Sequence, residues 1–378
     1  MKRVLPIAIA LAATLAGCAT EPTPTTQPTT QPTAAPSTTT STPTPTPTEE
    51  PAVEITGDPT ELATGLDAPW SMVRLASGST LVSSRDDGRV LELTASGDVR
   101  EVGSIAGVAH RGEGGLLGLA VSPGDEGTLF AYLTTASDNR IVKLPLEGAA
   151  GAYELGDETI VLDGLDAAQN HDGGRIAFGP DGLLYATVGD AGEPSRAQDL
   201  DSLNGKILRM TADGDVPADN PYDSLVYSYG HRNPQGIAWD DTGQLFAAEF
   251  GQDTWDEFNR IEAGGNYGWP EVEGIVDGGD DEFINPLHQW ATDDASPSGL
   301  AFVNGTFFMA ALKGERVWQV YPDGEPVDAA TDFGRIRDVT AGPDGTLWVL
   351  TNNTDGRGSP AVDDDRILQF DLTAIEGR

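Results

Sequence analysis

Between residues 171 and 190 the chain reads His-Asp-Gly-Gly-Arg-Ile-Ala-Phe-Gly-Pro-Asp-Gly-Leu-Leu-Tyr-Ala-Thr-Val-Gly-Asp. The middle of this stretch, residues 179–188, predicts a tight turn that enters an apolar strand. Its two ends place His171 and Asp190 beside glycines, in a chain that contains only 4 histidines. Histidine has the ordinary pKa closest to neutral pH, so His171 is a candidate general base. The stretch therefore predicts one blade of a repeated β-structure that also supplies a catalytic base.

The same pattern of a glycine-centred turn followed by an apolar strand occurs six times along the chain. The glycines of these turns are Gly78, Gly127, Gly182, Gly243, Gly305 and Gly345. Repeats of this length, made of short strands and turns, are typical of a propeller, so the sequence predicts an all-β, six-bladed β-propeller. We expect residues 53–63 to pair with strands near the C-terminus and close the ring. A two-sheet sandwich would explain the strands but not six equivalent turns.

The first 52 residues predict that the chain is exported from the cytoplasm. Lys2 and Arg3 precede an apolar run that is too short to span a bilayer, and this run leads to Cys18, the only cysteine. The arrangement resembles a bacterial lipoprotein signal: residues 1–17 would be removed, and a lipid on Cys18 would anchor the chain to the outer side of the cell membrane. An ordinary signal peptide is the alternative. Residues 18–52, rich in Thr and Pro, predict a disordered linker, and residues 53–378 predict the folded domain.

The composition excludes some classes of partner. The chain has 22 Lys and Arg against 60 Asp and Glu, which gives a net charge of −38. Nucleic acid is excluded as a partner because phosphate binding requires a basic surface. A solvated acidic surface is the simpler interpretation of so many carboxylates, and weak calcium binding is the other.

Several glycine-rich polar segments are too unusual for ordinary turns, and loops on one face of a propeller converge at its central channel. The segments are residues 111–118, 171–190, 229–236, 248–253 with 265–270, 311–314 and 334–338. In the last of them, Arg335 and Arg337 are two positions apart and so share one face of a strand. Arginine pairs strongly with carboxylates, so the residues alone favour ion pairs with the abundant surface acids, and a site for an anionic ligand is the alternative. Residues 266–270 are interpreted as packing.

These segments, in this order, resemble the soluble quinoprotein glucose/sorbosone dehydrogenase family over nearly all of residues 60–372. The resemblance implies a six-bladed propeller that binds pyrroloquinoline quinone (PQQ) and Ca²⁺. It implies oxidation of aldose sugars at C1 to lactones, with electrons passed to an external acceptor. The chain lacks the long loop insertions that the soluble glucose dehydrogenases of this family carry, which implies an open pocket, broad aldose specificity and a monomer rather than a dimer.

The resemblance also implies roles for individual residues. His171 would take the proton of the C1 hydroxyl while hydride passes to C5 of the quinone, and Asp190 would be the acidic partner of that histidine. Arg232 would stabilise negative charge that develops on the quinone oxygens, which Asn233 would also contact. The other residues expected to contact the cofactor are Glu113, Lys313, Arg335 and Arg337.

Two calcium sites are implied in the same way. The backbone carbonyls of Gly251 and Gln252 would bind the ion beside the quinone. A second, structural calcium would use the side chain of Asp277 and the carbonyls of Glu273 and Ile275.

The chain departs from the family pattern at two positions. Asp172 stands where asparagine is usual and adds a charge near the base, and Gln252 stands where proline is common. Two other functions remain open. A calcium-dependent lactonase on a similar propeller would need carboxylates around its metal and no cluster of cations, whereas a non-catalytic binding propeller would lack the histidine or the cations.

Overall fold

The structure of the protein, a computed structural model, describes residues 51–278 and 282–375. Its strands in chain order are β1 (Val53–Ala63), β2 (Pro69–Arg74), β3 (Thr80–Ser84), β4 (Arg89–Leu93), β5 (Val99–Ser104), β6 (Leu116–Ser122), β7 (Asp125–Thr134), β8 (Asn139–Glu147), β9 (Glu154–Leu155), β10 (Thr159–Leu165), β11 (Ile176–Phe178), β12 (Leu184–Val188), β13 (Lys206–Met210), β14 (Val226–Tyr229), β15 (Pro234–Trp239), β16 (Leu245–Glu249), β17 (Trp255–Ile261), β18 (His288–Ala291), β19 (Pro297–Val303), β20 (Thr306–Ala311), β21 (Arg316–Val320), β22 (Val327–Ala330), β23 (Ile336–Ala341), β24 (Leu347–Thr351) and β25 (Ile367–Ala374).

Short 3-10 helices cover Pro194–Ala197, Pro221–Asp223 and Pro343–Gly345. Within the described residues, no helix has the length and apolar character needed to cross a membrane. Residues 1–50, which include the predicted signal, Cys18 and most of the predicted linker, lie outside the described part of the chain, so those expectations stay predictions.

Antiparallel pairing joins the strands into six sheets. Five sheets use consecutive strands: β2–β5, β6–β10, β11–β14, β15–β18 and β19–β22. The sixth sheet combines β23, β24 and β25 with β1, so that Val53 lies opposite Ala374 and the first strand closes the ring. The predicted six-bladed β-propeller and its closure by residues 53–63 are confirmed.

The repeated glycine turns lead into the second strand of each sheet, with one correction. Gly78, Gly182, Gly243, Gly305 and Gly345 have positive φ and lie one or two positions before β3, β12, β16, β20 and β24. The prediction of a turn at Gly127 is wrong, because this glycine lies inside β7. Gly124 has φ 79° and supplies the positive φ of that turn, and Ser122 pairs with Asp125 around it.

The innermost strand of each sheet faces the propeller axis, where polar side chains form a closed layer. Trp70 is buried in β2, with the guanidinium of Arg175 4.4 Å and that of Arg337 5.7 Å from its ring. Gln235 joins the two arginines, because its carbonyl accepts from Arg175 Nε at 2.9 Å and its Oε1 from Arg337 Nη1 at 2.9 Å. Gln235 and Arg337 line an axial cavity of about 300 Å³, and Arg175 lines another of about 200 Å³.

Candidate active site

His171 lies in a turn that only small neighbours permit. Its φ is 63°, in the left-handed region that residues other than glycine rarely adopt. A Cβ added at Gly173 would lie 2.6 Å from the carbonyl oxygen of Thr187, and one at Gly189 would lie 2.1 Å from that of His171. The amide of Gly173 donates to Asn233 Oδ1 at 3.0 Å. The glycines that flank the histidine therefore allow the close backbone approach that fixes the position of its side chain.

The imidazole of His171 is paired with a buried carboxylate. His171 Nδ1 and Asp190 Oδ1 are 2.7 Å apart, and Asp190 is fully buried. Burial alone would raise the pKa of Asp190, but the hydrogen bond and charge of His171, with hydrogen bonds from Trp269 and Gly192, hold this pKa below its ordinary value. The carboxylate is thus an acceptor for the Nδ1 proton, which leaves the lone pair on Nε2.

Trp269 has a larger role than the sequence suggested. Its Nε1 donates to Asp190 Oδ2 at 2.8 Å, and its ring lies 5.6 Å from the guanidinium carbon of Arg232. The interpretation of residues 266–270 as packing stays a prediction, and Trp269 in addition fixes the carboxylate of Asp190. The contact spans 79 positions of sequence, which no local pattern indicates.

Glu113 connects the histidine turn to the larger axial cavity. Its Oε2 accepts from the backbone amide of His171 at 2.9 Å and from Asn233 Nδ2 at 3.3 Å. Because Asn233 Oδ1 also holds Gly173, both ends of this amide side chain have protein partners. Arg232 donates through Nε and Nη2 to Gln252 Oε1, at 3.0 and 2.8 Å. The predicted contacts of Arg232 and Asn233 with quinone oxygens stay predictions; in this structure both side chains order the loops around the base.

The predicted cationic residues meet at one cavity. This cavity, of about 300 Å³, is lined by Glu113, Gln235, Phe250, Ser296, Leu312, Lys313, Arg335, Arg337 and Arg357. Its volume lies at the lower end of the roughly 300–1,000 Å³ typical of sites for small molecules. Lys313 stands at the rim, half-exposed and ion-paired with Asp293.

Two guanidiniums at this cavity share a single buried carboxylate. Arg335 Nη2 donates to Asp355 Oδ2 at 3.0 Å, and Arg337 Nη2 lies 3.7 Å from the same oxygen. Burial lowers the pKa of Arg337, and the charge of Asp355 opposes this effect. Burial would raise the pKa of Asp355, but the two guanidinium charges outweigh it and lower this pKa. The excess positive charge and the cavity volume fit a small polycarboxylate such as PQQ.

The donor set near Gly251 fits a hard divalent cation. Among the described residues, no hydrogen-bond donor reaches the backbone carbonyl oxygens of Gly251 and Gln252. These two oxygens are the calcium ligands that the resemblance implies. Glu249, Glu257 and Glu273 surround a small pocket beside Gly251. Burial and then the charge of Glu249 raise the pKa of Glu257 to about 8, a repulsion that a nearby cation would relieve.

The predicted second calcium site is not assembled from side chains. In the part of the chain that the structure describes, no group of three or more His, Cys, Asp or Glu side chains could hold a metal ion. Glu273 uses its carboxylate to accept the amides of residues 252–255, at 2.6 to 3.2 Å. The amide of Ile275 donates to Gln289 Oε1 at 2.6 Å. The roles of Glu273, Ile275 and Asp277 as calcium ligands stay predictions.

Asp172, which follows the candidate base, is a buried acid with one unpartnered oxygen. Its Oδ1 accepts from Asn139 Nδ2 at 2.9 Å and from the amide of Ala168 at 3.2 Å, whereas Oδ2 has no partner within the described residues. Burial raises the pKa of Asp172 to about 6, against the effect of these hydrogen bonds and with a further contribution from the charge of Glu113. The neutral acid is therefore the form that this environment favours.

We expect Asp172→Asn to stabilise the protein above pH 6. The pKa is higher in the folded state than in the unfolded state, so the unfolded state loses its proton first as pH rises from about 4. Above pH 6 this loss of folding stability is complete. Asparagine cannot ionise, so the Asp172→Asn protein does not suffer the loss. The free energy of unfolding, from urea titrations, should rise by about 1–3 kcal/mol at pH 8 and not at pH 4.

Asp138→Asn is the matched control, because Asp138 is also buried. Burial raises the pKa of Asp138, but hydrogen bonds from Thr135, Gly164 and Arg140 outweigh this and lower it to about 2. The folded state therefore favours the charged form of Asp138, and its replacement should destabilise the protein at pH 8. An Asp172→Asn protein no more stable than the parent at pH 8 would show that Asp172 carries no such penalty.

Three residues that organise the site were missed by the sequence reasoning. Asp355 accepts a hydrogen bond from Arg335, 20 positions away in sequence, and Gln235 accepts one from Arg337, 102 positions away. Glu249 accepts a hydrogen bond from His231 Nδ1 at 2.8 Å. His231 is fully buried, and its Nε2 is also hydrogen-bonded to Ser228, so this histidine supports the turn. The only sequence signal for Asp355 is its place in a glycine-rich segment outside the segments that were singled out.

The comparisons with known proteins agree with this architecture. The glucose/sorbosone dehydrogenase family model matches residues 66–362. The aldose sugar dehydrogenase YliI of Escherichia coli is 30% identical over 339 residues, which cover 77% of this chain and 89% of that protein. The quinoprotein glucose dehydrogenase B of Acinetobacter calcoaceticus is 31% identical over 256 residues, covering 58% and 54%.

A solved structure extends the likeness to three dimensions. The PQQ-bound form of an aldose sugar dehydrogenase from Streptomyces coelicolor is 46% identical, with a TM-score of 0.80 over 87% of this chain and 100% of that one. The family model spans most of the propeller, including the His171 turn and the cationic cavity. The chain therefore belongs to the glucose/sorbosone dehydrogenase family.

Proposed function

We propose that the protein is a PQQ- and calcium-dependent dehydrogenase that oxidises aldose sugars at C1 to lactones. The observation that most supports this is the convergence of Lys313, Arg335 and Arg337 on one cavity. Glu113, another residue of the same cavity, accepts a hydrogen bond from the backbone amide of His171. This contact links the cationic cavity to the proposed base. The family membership and the PQQ-bound relative from Streptomyces coelicolor support the same function.

The base is His171, acting through Nε2. Asp190 holds Nδ1 and stabilises the imidazolium that forms when His171 accepts the proton of the sugar C1 hydroxyl. Trp269 in turn fixes the carboxylate of Asp190. Because Asp190 is fully buried, water does not weaken this arrangement.

The basic residues would hold the cofactor in the cavity that they line. Lys313, Arg335 and Arg337 would bind its carboxylates, and the carbonyls of Gly251 and Gln252 would hold the calcium ion beside it. The bound quinone supplies the acceptor for the hydride of C1. Arg232, held by Gln252, would stabilise the negative charge that develops on the quinone oxygens.

The two other functions have less support. A lactonase would require carboxylates around its metal and no cluster of cations, whereas Lys313, Arg335 and Arg337 line one cavity. A non-catalytic propeller would not require the buried pair of His171 and Asp190. The dehydrogenase accounts for both the base and the cations.

The direct test adds PQQ and Ca²⁺ to purified protein and measures oxidation of glucose and other aldoses with an artificial dye acceptor. Activity that requires both additions, and that EDTA removes, is the expected result. Protein without added PQQ is the control. Failure of the protein both to bind PQQ and to oxidise any aldose would refute the proposal.

The setting of the enzyme is part of this proposal. A lipid on Cys18 would attach it to the outer side of the cell membrane, and an external acceptor would take its electrons. Broad aldose specificity and a monomeric state accompany the absence of long loop insertions. Labelling with a radioactive fatty acid, compared between the parent chain and Cys18→Ser, tests the anchor.

A further inference from the structure

Arg357 is a basic residue of the cationic cavity that the family resemblance did not identify. It lies between β24, which ends at Thr351, and β25, which begins at Ile367. It lines the same cavity as Lys313, Arg335 and Arg337. Its side chain is 45% exposed, so it stands at the mouth of this cavity rather than in its floor.

The backbone around Arg357 is held in place by the residues that position the other arginines. Its amide donates to Asp355 Oδ1 at 2.9 Å, and the other oxygen of this carboxylate accepts from Arg335. A Cβ added at Gly358 would lie 3.0 Å from Arg335 Cδ and 2.6 Å from the carbonyl oxygen of Asn353. The turn is therefore packed against the stem of Arg335, and only the side chain of Arg357 would have to move to reach a ligand.

The guanidinium of Arg357 is weakly paired. Its one ion pair within 4 Å among the described residues joins Nη2 to Glu113 Oε1 at 3.9 Å, beyond hydrogen-bond distance. The other carboxylate oxygen of Glu113 already accepts from His171 and Asn233. An anion that entered the cavity would offer Arg357 a closer partner than Glu113 does.

We propose that Arg357 is a fourth cation for the carboxylates of the quinone, after Lys313, Arg335 and Arg337. Its side chain would turn from Glu113 to one of these carboxylates and cover the mouth of the cavity. The inference rests on the proposed PQQ function and adds a residue to it. Asp355 has a linked positioning role, since one carboxylate holds Arg335 through its side chain and Arg357 through its backbone amide. The cofactor would then lie between buried arginines on one side and Arg357 on the other.

Titration of the apo-protein with PQQ, at fixed Ca²⁺ and followed by tryptophan fluorescence, tests this role. Arg357→Gln keeps a polar side chain, although a shorter one, and removes its charge. We expect the PQQ concentration at half-saturation to rise about tenfold at low salt, and the difference to shrink at high salt. The melting temperature of the apo-protein should not change, because the side chain makes no hydrogen bond with another described residue.

The matched control is Arg260→Gln. Arg260 lies in β17 away from the cavity, is 53% exposed and pairs with Glu262 at 3.3 Å, so its replacement should leave the titration unchanged. Equal half-saturation of Arg357→Gln and the parent would overturn the inference. A raised KM for sugar with an unchanged PQQ titration would also overturn it, because Arg357 would then contact the substrate.

The failure of this inference is distinct from failure of the proposed function. A parent protein that does not bind PQQ at all refutes the proposed function. A parent that binds PQQ, and loses affinity through Arg335→Ala but not through Arg357→Gln, refutes only the role of Arg357.

Discussion

His171→Ala should lower kcat by about 10²–10⁴-fold while PQQ still binds, because the variant lacks the group that accepts the C1 proton. The side chain of His171 is bonded to Asp190 and not to the cations of the cavity, so its loss leaves the cofactor contacts in place. The measurement combines single-turnover reduction of bound PQQ by glucose with a PQQ titration of the same preparation.

His288→Ala is the control for the loss of an imidazole. His288 is half-buried in β18, where its Nε2 lies 2.7 Å from the carbonyl oxygen of Tyr321. The His288→Ala variant should retain the parent kcat. Full turnover in His171→Ala would exclude His171 as the base, and loss of PQQ binding would show that its main role is to shape the cofactor site.

Replacing Arg335 and Arg337 together by alanine should raise the PQQ concentration at half-saturation by at least about 100-fold. Each charge-assisted hydrogen bond to a carboxylate contributes about 1.5–3 kcal/mol, and both would be lost. Isothermal titration calorimetry of the apo-protein with PQQ measures the change, with a thermal melt of each variant in parallel.

The two arginines should differ in their effect on folding. Arg337 donates to Gln235 Oε1 and Asn352 Oδ1 in the buried axial layer, so its loss leaves buried acceptors unsatisfied and costs about 2–4 kcal/mol of stability. Arg335 is bonded to Asp355, which keeps a contact with Arg337, so Arg335→Ala separates binding from folding.

Arg316→Ala serves as the control for these arginines. Arg316 lies in β21 and pairs with Asp328 at 3.2 Å, away from the cavity. Its loss should leave PQQ affinity unchanged. PQQ affinity in the double variant equal to that of the parent would show that the cavity does not bind the quinone.

Much of the fold follows from local sequence patterns. Glycine turns such as Gly78 and Gly182 require positive φ, and the apolar runs after them form the buried second strands of the sheets. The exception, at residues 122–127, has two glycines close together, and spacing alone does not show that Gly124 rather than Gly127 makes the turn. The closure by β1 was also predictable, because an unpaired strand at each end leaves open sheet edges.

The site was predictable only in part. His171 and Asp190 are 19 positions apart on the two sides of one β-hairpin, so a short-range pattern indicates their pairing. The partners of Asn233, Glu113 and Gly173, belong to other blades, so no short-range pattern indicates these contacts. Arg232 meets Gln252 across the β15–β16 hairpin of a single blade. Residue type alone cannot distinguish contact with a ligand from contact with a neighbouring loop.

The sequence by itself determined that a turn followed by a strand repeats six times along the chain. It also showed that basic residues are scarce and that one histidine, His171, is flanked by glycines. Only the tertiary structure decided which of these groups meet. Trp269 reaches Asp190 across 79 positions, and Asp355 brings Arg335, Arg337 and Arg357 to one cavity. The contact of Trp269 with Asp190 depends on how separate blades close around the axis. Asp355 and its arginines belong to one blade, in which the segment between β24 and β25 folds against the start of β23. The pKa of Asp172 depends in the same way on burial, which a residue acquires only when the surrounding blades pack.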